Sequence, residues 1–148
     1  NGTLVSPKIF REMFKPRYKI LYDFIRRKKP DAFLSLHSCG SISKFLPDLI
    51  ELGLDIINPV QTGAAGMDAV QLKRDFGKDI TFWGGGVDTQ QVLPWKTPQE
   101  VADDVKRRIE IFAPGGGFVF NSIHNISPEV PAENILAMFD AFAQNSKY

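Results

Sequence analysis

Soft metal ligands are scarce in this 148-residue sequence: one cysteine, Cys39, and two histidines, His37 and His124. A single cysteine excludes an internal disulfide framework and suits a reducing cytoplasm. No apolar run approaches the ~20 residues of a membrane span, and the N-terminus has no signal-peptide pattern. A formal net charge of +1 offers no excess of either sign, so neither nucleic acid nor an acidic partner is expected. The densest basic run, Arg26-Arg27-Lys28-Lys29, falls at a helix end, where it complements the dipole and is expected to be solvated. No G-x-G-x-x-G opens a helix, which removes support for a dinucleotide site. Gly84–Gly86 is followed by Val87-Asp88 rather than the Lys-Ser or Lys-Thr of a phosphate loop. Asn1 in place of a methionine suggests a cut into a longer chain.

Alternation of helix and strand is what the sequence does have. A helical stretch runs from about Ser6 to Lys29, with Pro7 near its start and Pro30 beyond its end. Ala32–Leu36 reads as a strand, with Leu34 and Leu36 on one face and Phe33, Ser35 and His37 on the other. Ile42, Phe45, Leu46, Leu49 and Ile50 mark a helix over Ser41–Leu52, stopped by Gly53. A short strand over Asp55–Pro59 precedes a helix capped by Asp68 and ended at Gly77. The third strand is Ile80–Trp83. Thr97-Pro98-Gln99-Glu100 combines a capping box with proline at the first helical position, and Val101, Val105, Ile109 and Phe112 supply the stripe. A fourth strand over Phe118–Ile123 and a last helix from Pro131 complete the series. Four strands each followed by a helix imply parallel pairing through right-handed crossovers. Either a small open α/β sheet or half of an eight-stranded barrel satisfies this pattern.

In both architectures chemistry collects where parallel strands run out into loops. These exits are polar: His37-Ser38-Cys39-Gly40, Asn58-Pro59-Val60-Gln61, Gly84–Gly86 with Asp88, and Asn121-Ser122 with His124-Asn125. His37 and Cys39, two residues apart in extended chain, point to the same side. With His124 they would give a zinc ion three protein ligands and leave a fourth position for substrate. The plainer alternative is a hydrogen-bonded histidine beside an inert small cysteine. A His37–Cys39 nucleophile dyad ranks below both, because the i, i+2 geometry strains it. Asp88 is either a general base or second ligand, or a solvated loop carboxylate. Trp83 and Trp95 are expected to pack rather than to carry substrate.

Four segments carry a resemblance. His-Ser-Cys-Gly at 37–40, Gly-Leu-Asp-Ile-Ile-Asn-Pro-Val-Gln at 53–61, Phe-Trp-Gly-Gly-Gly-Val-Asp-Thr-Gln at 82–90, and Phe-Asn-Ser-Ile-His-Asn-Ile-Ser-Pro-Glu-Val-Pro-Ala-Glu-Asn-Ile at 120–135 occur in order. Together they resemble the C-terminal half of the uroporphyrinogen decarboxylase superfamily, from about Ser6 to Phe142. The resemblance implies the last four βα units of a TIM-type barrel. The superfamily includes zinc-dependent methyltransferases that move methyl groups between corrinoid proteins and thiols. There a His-x-Cys pair and a later Cys bind the zinc; His37 and Cys39 match the pair, and His124 stands where the later Cys is expected. The resemblance thus implies zinc at His37, Cys39 and His124, a corrinoid carried by a partner protein, and a cytoplasmic enzyme. His124 and Asp88 would be the catalytic contacts, and Gln61, Asn58 and Asn121 would line the substrate cavity. In the decarboxylase branch a Gly-His-Gly histidine that contacts the tetrapyrrole resembles His124, without any His-x-Cys pair. Metal-free decarboxylation of a tetrapyrrole is therefore the alternative function. A half-barrel exposes strand edges and its interior, so homodimerisation, or membership of a longer chain, is expected. An inactive half-barrel that only associates is the non-enzymatic alternative.

Overall fold

A computed structural model describes residues 2–146; Asn1, taken above as a cut into a longer chain, lies outside them. The first helical stretch is three pieces: α1 (Pro7–Ile9), a π-helical turn (Phe10–Phe14) and α2 (Lys15–Lys28). Ser6 starts it, its Oγ accepting from Ile9 N at 3.2 Å. Pro16 explains the break from the continuous helix expected there. It has no N–H to give to Glu12, and its ring crowds that carbonyl, so the preceding turn widens.

Strand β1 (Ser35–His37) begins later than the sequence implies. Leu34 N donates to the Asp55 carboxylate at 2.6 Å, and only the Leu34 carbonyl, accepting from Ile56 N at 3.0 Å, pairs toward β2. The next helix opens as a 3₁₀ turn (Ser43–Phe45) before α3 (Leu46–Glu51). Pro47 removes the N–H that an α-helical turn would aim at Ser43 O, and Leu46 N takes that carbonyl instead. β2 (Ile56–Asn58), α4 (Ala69–Phe76), β3 (Thr81–Trp83) and α5 (Pro98–Phe112) follow, then β4 (Phe118–Val119) and α6 (Ala132–Asn145). Asp68 caps α4, and the Thr97–Glu100 capping box forms in both directions. β4 is shorter than expected, yet Gly86 N still donates to Asn121 O at 2.8 Å, so pairing continues irregularly beyond Val119.

The four strands are parallel and stand in the order β1-β2-β3-β4. That order decides between the two architectures. Right-handed crossovers between successive neighbours carry every helix to one face, whereas a doubly wound open sheet reverses order and is covered on both. Leu36, Ile57, Phe82 and Phe118 point to the helix side, where Ile57 and Phe82 are 1% and 0% exposed. Ser35, His37, Asn58, Trp83 and Val119 point to the other side, which no described element covers; Trp83 remains 40% exposed. The protein is half of a (β/α)8 barrel, and its uncovered face is the barrel interior.

Two ion clusters tie helices to this frame. Arg26 reaches Asp55 Oδ2 at 2.5 Å and the Ala32 carbonyl, so the basic end of α2 is partly a clamp on β1 and β2 rather than wholly solvated. Asp48, 6% exposed on α3, accepts from Arg11 Nε at 2.9 Å and from Lys15 Nζ at 2.8 Å. Burial pushes the Asp48 carboxyl upward, but Lys15 and Arg11 outweigh it and hold it below its ordinary 3.8. A depressed carboxyl lends stability that is complete above its ordinary value and drains away as pH falls through the folded one. Thermal denaturation from about pH 6 to about pH 3 should therefore show a drop in wild-type melting temperature that is shallower in Asp48→Asn. Equal slopes in the two proteins would remove Asp48 from the acid response. Among the described residues, no helix is long and apolar enough to cross a membrane.

Candidate metal centre

Because all strands run the same way, the four polar exits meet at one end of the open face. His37, last residue of β1, pairs in register with Asn58, last residue of β2. Its Nδ1 lies 2.7 Å from Asn58 Oδ1, and its Nε2 lies 3.4 Å from Cys39 Sγ. His124, beyond β4, brings its ring to 6.5 Å from that of His37, nearly perpendicular at 72°. One donor atom from each of His37, Cys39 and His124 lies within 4.8 Å of the others, and all three residues are exposed on the open face.

The donor set suits zinc. Tetrahedral bonds of ~2.3 Å to sulfur and ~2.05 Å to nitrogen place such ligand atoms about 3.5 Å apart, and the Cys39–His37 pair is at 3.4 Å. The third donor is looser, on an exposed ring with room to turn. Soft sulfur with two imidazoles favours zinc over the hard, oxygen-seeking cations.

The surrounding exits hold this arrangement. Gln61 Oε1 accepts from Gly40 N at 2.8 Å, closing the turn that carries Cys39. Asn121 Oδ1 accepts from Ser122 N at 2.9 Å, and Ser122 Oγ donates to the His124 carbonyl at 2.7 Å, fixing the loop on which that histidine sits. Gly86 lets β3 and β4 run together here: a Cβ on it would stand 2.4 Å from the Phe120 ring. Asn58 and Gln61 thus have their carboxamides engaged with neighbouring exits, while that of Asn121 braces its own loop. A cleft of about 460 Å³ opens beside His124, bordered by Gln61, Thr89, Trp95 and Glu129. Trp95 is 68% exposed there, so neither tryptophan packs as the sequence suggested.

Asp88 is not a solvated loop carboxylate. It is 9% exposed, and its Oδ1 accepts from the backbone of Gln90 at 2.8 Å and Gln91 at 2.9 Å, closing the turn after β3. Sequence reasoning passed over its partner: Asp104, 4% exposed on α5, accepts from Asp88 N at 3.0 Å and pins that loop. The signal was available, since Asp104 follows Val101 by three residues on the buried stripe and so had to find a donor inside.

A parallel half-barrel whose strand exits bring a His-x-Cys pair together with a second histidine defines the class: a partial (β/α)8 barrel with a candidate metal centre at the C-terminal ends of its strands. A model of the family Uroporphyrinogen decarboxylase (URO-D) matches residues 1–144, and the chain belongs to that family. A uroporphyrinogen decarboxylase of Aromatoleum aromaticum (strain DSM 19018 / LMG 30748 / EbN1) is 23% identical over 147 residues, which are 99% of this chain and 39% of that protein. A methyltransferase from Methanosarcina mazei superposes with a TM-score of 0.72 at 22% identity, over 97% of this chain and 39% of that one. At that identity the second likeness speaks for the fold. The chain spans about two fifths of the length of these relatives.

Proposed function

We propose that this half-barrel holds zinc at His37, Cys39 and His124 and contributes it to a methyltransferase-type enzyme that moves a methyl group between a corrinoid, carried by a partner protein, and a thiol. The observation that carries this reading is the 3.4 Å separation of Cys39 Sγ and His37 Nε2, a metal-ligand spacing on an exposed face. Bound zinc would keep a substrate thiol in its thiolate form, the nucleophile that methyl transfer from cobalt requires. His37 offers a ring lone pair, Cys39 a thiolate and His124 a second imidazole, leaving one side of the site open to the barrel interior. Gln61 holds the Cys39 turn and borders the cleft next to His124, a placement suited to orienting a small substrate. Asp88 acts at one remove, through the loop it closes.

Metal-free decarboxylation of a tetrapyrrole would use His124 as a substrate contact and leave the Cys39–His37 pair without a task. Metal analysis of the purified polypeptide separates the two readings. Stoichiometric zinc, lost on dialysis against a strong chelator, is expected. Zinc-free protein that binds porphyrinogen-like ligands and ignores chelators would replace this proposal with the alternative.

The uncovered interior bears on partners. Phe33, just before β1, is 80% exposed, and the end helices α2 and α6 present Ile20 at 70% and Leu136 at 64%. Apolar area of this kind favours association. A second half-barrel, from the same polypeptide or from another copy, is the occupant that matches its curvature. The isolated 148-residue chain should therefore sediment as a dimer or larger and be inactive alone. A well-folded monomer at micromolar concentration would overturn this.

A further inference from the structure

Asn58 stands between β1 and β3 with both ends of its carboxamide engaged. Its Nδ2 donates to the Trp83 backbone carbonyl at 3.0 Å, and its Oδ1 lies 2.7 Å from His37 Nδ1. The chemistry of these groups leaves one proton arrangement. A backbone carbonyl only accepts, so the amide NH₂ must face Trp83. The amide oxygen, which also only accepts, is then turned to His37, and His37 Nδ1 must carry the ring proton. In a neutral imidazole the other nitrogen is then a bare lone pair, and that nitrogen, Nε2, is the one beside Cys39 Sγ.

We propose that Asn58 is a positioning residue that fixes the His37 tautomer and ring direction, so that Nε2 is presented as a metal donor before any metal arrives. The proposal rests on the zinc reading above for its purpose, though not for its proton assignment. The chain of custody runs through three parallel strands: the Trp83 carbonyl orients Asn58, Asn58 orients His37, and His37 faces Cys39. Loss of an outer partner that sets a ligand's tautomer typically weakens metal binding 10–100-fold.

Nitrogen-15 spectra of the metal-free polypeptide at about pH 8.5, where an imidazole carries one ring proton, test this directly. The two histidines are told apart with His124→Gln. His37 is expected to show a protonated Nδ1 and an unprotonated Nε2. Asn58→Ala should shift it toward the Nε2-protonated form and weaken zinc binding by roughly 10–100-fold in a chelator competition. Asn58→Asp keeps an acceptor facing Nδ1 but loses the donor to the Trp83 carbonyl, so it should retain the tautomer while recovering only part of the affinity. A wild-type His37 protonated on Nε2 overturns the proposal without recourse to any variant. So does an Asn58→Ala protein that folds and keeps both tautomer and zinc affinity. The expected wild-type tautomer in a protein that takes up no zinc would sustain the proton assignment and sink the metal reading alone.

Discussion

Replacing His37 and Cys39 together by alanine should abolish zinc binding while leaving the fold standing. Both side chains lie on the exposed face of the sheet, outside the apolar clusters that hold strands to helices. Their removal takes away the two donors already at ligand spacing, and an exposed histidine at 124 is left to bind alone. Each single substitution should weaken zinc binding by more than the roughly 100-fold that an outer partner costs, because a direct bond to the metal is lost. Cys39→Ala should be the more damaging, since it removes the thiolate, the only anionic donor in the set. His124→Ala should cost less, because its donor stands farther off than the 3.4 Å that separates the other two. Zinc content by metal analysis and affinity by chelator competition would check these outcomes, with circular dichroism confirming an unchanged fold. Unaltered zinc content in the double variant would end the assignment of the site.

Phe82→Ala carries the largest expected cost in stability. Phe82 is 0% exposed in the middle of β3, its ring centroid 5.2 Å from that of Phe112 on α5. It joins strands on either side, pairing with Ile57 of β2 and Phe118 of β4. Truncation of a phenylalanine at such a position typically costs about 3–5 kcal/mol. Against a usual total of about 5–15 kcal/mol, that is enough to threaten folding. Urea denaturation read by fluorescence and by circular dichroism should show a midpoint far below wild type. A loss under about 1 kcal/mol would mean that the helix side of the sheet is not the packed side, contrary to the half-barrel.

Much of the frame was legible because local signals were strong. The Thr97–Glu100 box, the Asp68 cap and the stripe of α5 depend on residues three or four apart, and they form as their spacing implies. Departures arose where backbone donors were missing or diverted. Pro16 widened one turn and Pro47 tightened another in helices that periodicity alone made continuous, and the Asp55 carboxylate took the Leu34 N–H at the start of the first strand. Asp88 went astray for a related reason: its partners are two loop amides and a carboxylate on α5, and although the buried stripe of α5 marks Asp104 as needing a donor, no local pattern says that the donor is Asp88 N.

The sequence by itself determined the order of strands and helices, the polar character of their exits, and the shared side of His37 and Cys39. These follow from hydrophobic periodicity and from the two-residue repeat of extended chain. Only the tertiary structure decided that the strands stand in sequential order with all helices on one face, leaving a barrel interior open. It alone brought His124 across from the fourth exit to the first, and set Asn58 beside His37 in register. Such placements depend on how separate segments pair, and pairing is fixed by the packing of a whole sheet rather than by any window of residues.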